Sequence, residues 1–474
     1  MRQRSWRRLS AIAALLTASS AATGCTVAGG ASGDAEVITV GYQSKTINTV
    51  TAGTLLRARG YFEDRLRELG QKTGTTYDVQ WQDYDTGAPI TAQMVAGKID
   101  VGSMGDYPML INGSQAGTDE DGTSMVSVTG YNSEGALNGV VVAPDSKLQR
   151  LEQLKGRSIS ASVGSAGHGT LVQALDRAGI PANAVSIENQ DPSVGASALQ
   201  GGSVDAVSQF VAWPGLLAFR DGARLIYDGG ELDLPTLHGV VTRREFSAEQ
   251  PQVVQAFLAA QIDATNHLHR HPLQASQQVA EATGLPAEVV YLYNGRNGIA
   301  TFDPTIKKAQ VDALRHDIPF LKSIGVMGSD LDLDTFVDGS ALRKVYGPSY
   351  RRDTASTVNP AEITGRDEVC DKPVDDPATA GEVWVQGAAD TRPVADPTCL
   401  LRNVAAAEAD GEEIRAAYIP DTITGTRWLA DHMVWLRNGE EFYPFATLAS
   451  AERWQRQHPQ ATELSWQQAL ESVR

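Results

Sequence analysis

The chain has 474 residues, more than one ordinary domain holds and enough for two or three. It carries 40 basic against 57 acidic residues, a net charge of −17. That excludes a nucleic-acid partner, because phosphate recognition needs clustered Lys and Arg. Beyond the N-terminus no stretch is apolar for long enough to span a membrane.

At the N-terminus Arg2, Arg4, Arg7 and Arg8 precede an apolar run from Leu9 to Ala22. The run is short of the ~20 apolar residues that cross a bilayer. A basic head, a short apolar core and small residues before a cut site predict a secretory signal. The stretch Ala22-Thr23-Gly24-Cys25 resembles a bacterial lipobox, with Ala in place of the usual Leu. The resemblance implies a signal peptide over 1–24, cleavage before Cys25, a diacylglycerol thioether on its sulfur, and anchoring on the extracytoplasmic face of the cell membrane. The alternative is an ordinary signal cut near Ala22. Residues 25–35 are rich in small side chains and read as a flexible tether. Removing the four signal arginines leaves a net charge of −21.

From Glu36 strand and helix patterns alternate. "EVITVGYQ" is a β-branched run. "AGTLLRARGYFEDRLRELG" has apolar residues at helical spacing and closes on Gly70. "YDVQWQDY", "PITAQMVAGK" and "IDVGSMG" read as strand, helix and buried strand. The pattern resumes from "NGVVVAPD" through "VDAVSQFVAW" and "ARLIYDGG", and "HGVVTRREF" reads as the chain crossing back into a first lobe. Such alternation predicts parallel sheets. Helices follow over about 250–282 and from Pro286 to about Gly339. The polar stretch 348–366 reads as a linker. Beyond it a smaller unit has strand-like "GEVWVQG", helical "CLLRNVAAAEA", strand-like "IRAAYIPD" and "HMVWLRN", and a terminal helix.

Three turns sit where strands end and helices begin: Gln43-Ser44, Gly102 to Asp106, and Val163 to Gly169. In an open α/β sheet ligands bind beyond the carboxyl ends of the strands, where helix N-termini offer free N–H groups. The bland alternative is tight turns that use glycine's freedom. "GSAGHG" lacks the Lys-Ser/Thr ending of a P-loop and the spacing of a dinucleotide fingerprint. The triplet His267, His269 and His271 has i, i+2 spacing, which on a helix scatters the rings over different faces. It reads as a solvated face and not a metal site.

Taken in order, "GYQSKTINTVTAGTLLRARGYFEDRL", "MVAGKIDVGSMGDYPMLINGSQAG", "LEQLKGRSISASVGSAGHGTLVQALDRAGI" and "LQGGSVDAVSQFVAWPGLLA" resemble the solute-binding proteins of nitrate/sulfonate/taurine-type ABC transporters. The resemblance spans about 36–347. It implies an α/β fold of two lobes joined by a hinge, lobe 1 over about 36–128 and 240–345 and lobe 2 over about 129–239. It implies ligand contacts from Gln43, Ser44, Ser103, Asp106, Gly164, Ser165, His168 and Trp213. Ser103 and Ser165 either donate to an oxyanion or cap helices. His168 either donates to the ligand or packs at a helix start. Asp106 either takes an ammonium group or is a helix N-cap, and Trp213 either closes on the ligand or packs in the core. Family members often have an acidic residue between the Trp and Pro that stand adjacent here as Trp213-Pro214.

The last segment, 367–474, resembles NosL-like lipoproteins, a family associated with copper handling, through "CDKPVDDPATAGEVWVQG" and "DTRPVADPTCLLRNV". Cys370 and Cys399 fall on the family's cysteine positions. The methionines that often follow them are replaced by Asp371-Lys372 and Leu400, which disfavours a Cu(I) site and favours a structural disulfide. No cofactor is expected otherwise. Together these resemblances imply a lipid-anchored, non-enzymatic receptor that passes a small anionic or zwitterionic solute to an ABC permease, with a small α+β accessory domain. The rival expectations are an enzyme of the pyrimidine-precursor synthase type and a copper-handling lipoprotein. An enzyme would need a nucleophile beside an activating partner, and no such arrangement stands out.

Overall fold

The run Val37-Ile38-Thr39-Val40 favours a pleated, half-buried strand, and β1 forms over Glu36–Tyr42 with its last five residues buried. The computed structural model describes residues 35–117 and 119–474. The expected signal segment, Cys25 and the tether up to Asp34 lie outside the described residues. After β1 come β2 (Tyr77–Asp83), β3 (Val101–Gly105) and β4 (Thr123–Asn132). The chain then crosses into a second sheet for β5 (Asn138–Val142), β6 (Ser158–Ala161), β7 (Ser186–Asn189), β8 (Ala206–Phe210) and β9 (Arg224–Asp228). It returns for β10 (Thr236–Arg243) and β11 (Thr301–Phe302).

The lobe 1 sheet has the order β11-β4-β10-β3-β1-β2, and the lobe 2 sheet β7-β6-β8-β5-β9. Both are mixed, not parallel as expected. The first strand after each crossing is the reason. β5 runs antiparallel to β8 and β9, and β10 runs antiparallel to β3 and β4. The crossings lie at 133–137 and 229–235, a few residues from the expected 128/129 and 239/240, because β4 continues to Asn132 and β10 already begins at Thr236. β4 itself, "TSMVSVTGYN", escaped the sequence reading. Its Ser and Thr residues suggest a loop, yet nine of its ten residues are buried.

The connection 348–366 is not a free tether. It contains the short helix Tyr350–Thr354, and Ala361 and Ile363 are buried. Asp353 O accepts from Lys307 Nζ at 2.7 Å, and Ala361 O from Asn297 N at 2.7 Å.

The C-terminal module opens with the hairpin β12 (Gly365–Asp367) and β13 (Lys372–Val374). A sheet of β14 (Gly381–Val385), β15 (Arg392–Val394), β16 (Ile414–Pro420) and β17 (Arg427–Leu429) follows, and then one of β18 (Val434–Asn438), β19 (Glu441–Phe445) and β20 (Thr462–Leu464). The helix Pro397–Ala409 packs on β14, β16 and β19. Its start follows from the sequence: Asp396 caps it by accepting from Cys399 N at 2.8 Å, and Pro397 occupies the first turn. The module shares its core with the two-lobed body. One apolar cluster runs from Leu217, Val290 and Tyr291 into Trp384, Leu401 and Tyr418.

Cys370 and Cys399 are joined by a disulfide, with Cα atoms 6.0 Å apart and a sequence separation of 29. A cross-link of that span restricts the unfolded chain. Replacing both cysteines by serine is expected to cost about 2–4 kcal/mol, read as a lowered midpoint in chemical denaturation.

Candidate functional site

On lobe 1 the site is built from the carboxyl ends of β1 and β3. Gln43, one residue past β1, turns its amide onto the neighbouring strand end. Its Nε2 donates to Ser103 O at 3.2 Å, and its Oε1 accepts from Thr46 Oγ1 at 3.5 Å. Ser103 lies within β3 and caps no helix; its Oγ is buried without a hydrogen-bonding partner among the described residues. Ser44 is half-exposed, and its N–H donates to Asp83 Oδ1 at 2.8 Å. Asp106 is not the expected N-cap: Gly105 holds that position, and Asp106 is the first residue of the helix Asp106–Ala116 and is fully buried. Its carboxylate accepts from Tyr107 N at 2.8 Å and from Leu237 N at 3.2 Å.

On lobe 2 the stretch Val163–Gly169 is the entry to the helix Ala166–Arg177, and its glycines have separate reasons. Gly164 sits at φ +86, open only to glycine without strain. A Cβ on Gly167 would lie 2.7 Å from Gln209 Cα, and one on Gly169 would lie 1.9 Å from the Tyr107 ring. Ser165 is the N-cap, accepting from His168 N at 3.3 Å. His168 Nδ1 accepts from Gly164 N at 3.4 Å, and burial lowers its pKa, so the ring is neutral and supplies no charge. Trp213 starts the helix Trp213–Asp221 and is buried in the shared apolar cluster.

The lobes meet across this rim. Gln173 Nε2 of lobe 2 donates to Tyr107 Oη of lobe 1 at 2.7 Å. The bare flank of Gly169 leaves room for that ring.

The structure adds residues that the motifs did not mark. Gln209, at the end of β8, donates from Nε2 to Ser162 Oγ at 3.2 Å and leaves its Oε1 buried and unpartnered. Asn138, at the start of β5, has both amide atoms buried and unpartnered. β5 and β8 pair Asn138 with Phe210, so both amides stand at one end of the lobe 2 sheet. On lobe 1, Asn48 Nδ2 lies 2.6 Å from His238 Nδ1 and donates to Gly130 O at 3.2 Å. Burial pushes His238 down to about 3, so this ring too is neutral. The signal for these residues was faint: single amides inside or beside apolar runs, as in "NGVVV" and "VDAVSQFVAW". A hollow of about 950 Å³ lies elsewhere, on lobe 1 among Asp121, Arg244, Glu245 and Lys344, and touches none of the expected residues.

Two other expectations change. His267 is buried against the helix Pro272–Thr283, its Nε2 at 3.1 Å from Gln278 Oε1, so the histidine triplet does not form a solvated face. At the disulfide, Asp367 lies within reach of both sulfurs. Its carboxylate is already engaged by Val369 N, Cys370 N, Ala395 N and Asn403 Nδ2. Two bonded sulfurs and a saturated carboxylate do not fit a soft-metal site.

Asp106 also faces Asp317 of the helix Lys308–Ser323. Burial raises Asp106 to about 6, and burial together with the Asp106 charge raises Asp317 well above the carboxylate range. Carboxyls raised by folding are most favourable when neutral. For Asp106 the contribution is complete below about pH 4 and is lost as pH rises through 6, and that of Asp317 has the same sign. Asp317→Asn is therefore expected to stabilise the protein more at about pH 7.5 than at about pH 4, as measured by paired denaturation curves.

Residues 78–275 match the family described as NMT1/THI5 like. A relative from Bacillus subtilis (strain 168), named for aliphatic sulfonate binding, is 29% identical over 321 residues, which is 67% of this chain and 91% of the relative. The taurine-binding periplasmic protein of Escherichia coli (strain K12) is 26% identical over 229 residues, 48% of this chain and 68% of its own. Among solved structures, the alkanesulfonate-binding protein SsuA from Xanthomonas axonopodis pv. citri, bound to MOPS, aligns with a TM-score of 0.54 at 20% identity, over 64% of this chain and 98% of its own. At that identity the likeness is one of fold. Residues 78–275 are thus similar to the NMT1/THI5-like family, and the fold is the two-lobed one of the solved solute-binding proteins.

Proposed function

We propose that this chain is an extracytoplasmic receptor that captures a small anionic solute of the sulfonate or taurine class and hands it to an ABC permease, held to the membrane by lipid on Cys25. The observation that carries the reading is a pair of neutral, buried and unpartnered donors on the two rims, Ser103 Oγ on lobe 1 and Asn138 Nδ2 on lobe 2. Hydroxyl and amide donors hold an anion by dipoles, without the full charge that would resist its release. Asp106 has both oxygens engaged by backbone N–H groups, so in this reading it orders the rim and does not pair with a ligand cation. Hinge opening admits the solute, and closure is favoured by the contacts the solute makes with both lobes at once. Sulfonate and taurine relatives support the solute class.

Titration calorimetry with methanesulfonate, taurine and nitrate tests the reading. One of the three is expected to bind and to be recovered unchanged. Losing one hydrogen bond to a charged ligand costs about 1.5–3 kcal/mol, so Ser103→Ala and Asn138→Leu should each weaken binding at least about tenfold. Silence with all three solutes, or conversion of the solute, would overturn it. The anchor has its own check: metabolic labelling with a fatty acid should mark the wild-type chain and fail to mark Cys25→Ser.

A further inference from the structure

The C-terminal module touches three mechanically different parts of the receptor body. The first is the helix Ala287–Asn294, which is tied to lobe 1 by Asn294 Nδ2, a donor to Ile47 O at 2.8 Å, and also meets lobe 2, where Tyr293 Oη accepts from Gly215 N at 3.0 Å. There Glu382, fully buried, accepts from Tyr291 Oη at 3.0 Å, Thr391 Oγ1 at 2.6 Å and Arg427 Nη2 at 2.7 Å. Arg415 pairs with Glu288, and Tyr418 Oη donates to Glu288 O at 2.9 Å. The Tyr291 ring packs against Trp384 and Tyr418.

The second is the return crossing between the lobes. Thr424 Oγ1 donates to Asp228 Oδ2 at 2.8 Å, where β9 gives way to the crossing. A Cβ on Gly230 would lie 3.0 Å from Thr426 Oγ1, so the loop Asp421–Thr426 rests directly on this turn. The loop is itself fixed: Asp421 accepts from Ile423 N, Thr424 N and Ala446 N at 2.7, 2.8 and 2.7 Å.

The third is lobe 2. Arg150 pairs with Glu452 at 2.7 Å, Arg453 with Glu231 at 3.2 Å, and His432 Nε2 lies 2.9 Å from Ala218 O. Apolar packing is incomplete here. A crevice of about 180 Å³ is lined by Phe219 on one side and by Val404, Leu429 and Trp466 on the other.

We infer that the C-terminal module is a built-in hinge clamp, anchored on the lobe 1 side and latched to lobe 2 by releasable ion pairs. The asymmetry decides which end yields. Stripping a partner from a buried charge such as Glu382 is severely destabilising, so the anchor holds. The two latch pairs have side chains between 18% and 43% exposed, where ion pairs are weak and salt-screened. Opening of the lobes carries lobe 2 away from Glu452 and Arg453, and the latch strength sets how often this happens.

The test uses the mature chain with Lys98→Cys on lobe 1 and Lys155→Cys on lobe 2, both exposed positions, labelled for single-molecule energy transfer. Its readout needs no solute, so it stands apart from the receptor reading. Weak pairs predict that Glu452→Arg with Arg453→Glu raises the open fraction about threefold to tenfold at low salt, with a smaller rise at 0.5 M salt. Adding Arg150→Glu and Glu231→Arg re-creates both pairs with reversed signs and should restore the closed fraction, which a folding defect would not allow. Thr424→Val should raise the open fraction independently of salt. An open fraction unchanged in both the reversed pair and Thr424→Val, with an unaltered denaturation curve, would overturn the clamp.

Discussion

The chain passes between its lobes twice, and the two passes touch. Gly135 sits at φ +105, where a Cβ would lie 2.8 Å from Leu234 O and 2.9 Å from Gly229 O. A Cβ on Gly229 would come within 2.4 Å of Gly135 O. Asn132 Oδ1 gathers the N–H groups of Glu134, Gly135 and Ala136 at 3.0, 2.8 and 2.9 Å, so the first pass satisfies its backbone locally. The site depends on this narrow double strand. The passes bring the chain into each sheet against the grain, placing β5 and β10 antiparallel to their neighbours. The polar starts of those strands, Asn138 and His238, therefore stand beside the carboxyl ends of β8 and β3. A parallel sheet would have put them at the far end.

Burial then sets the electrical character of the rim. His168 and His238 lose their charge because desolvation favours the neutral ring. Asp106 is shifted toward neutrality by the same effect, against the pull of two backbone N–H groups that favour the ionised form. What is left is a ring of hydroxyls and amides. A buried polar atom with no partner costs about 1–3 kcal/mol, and native folds keep few of them without a use. Ser103 Oγ and Asn138 Nδ2, unpartnered donors at strand ends of the two lobes, fit recognition by dipoles.

Most of the fold was legible because its local signals agree with its tertiary structure. The period of "YFEDRLRELG" and the Ser165 cap both report geometry that the backbone adopts by itself. β4 was hidden because its burial comes from β10 and β11 on either side, not from an apolar run of its own. The site was half legible. Gln43, Ser103 and the Val163–Gly169 turn carry glycine or hydroxyl signatures at strand–helix junctions. Asn138 and Gln209 do not; their roles depend on the antiparallel placement of β5, which no local pattern announces. The polar stretch 348–366 misled for the opposite reason: its side chains lack periodicity, but its carbonyl groups are bound by Lys307 and Asn297, and hydropathy does not register a backbone acceptor.

The same limit of local reading bears on the C-terminal module. By pattern it is a separate unit behind a polar connection, with its own strands and its own disulfide. Its charges contradict that independence. Glu382 lies at the centre of β14 with no exposure, and its partners come from both sides of the junction: Arg427 and Thr391 from the module, Tyr291 and Arg296 from the receptor body. A buried carboxylate is tolerable only when its hydrogen-bonding capacity is filled, and the module alone fills part of it. Trp384 and Tyr418 repeat the argument in apolar terms, since the Tyr291 ring packs against both. The module and the helix Ala287–Asn294 therefore form one folded structure, and any motion of the lobes moves the module with one of them and against the other.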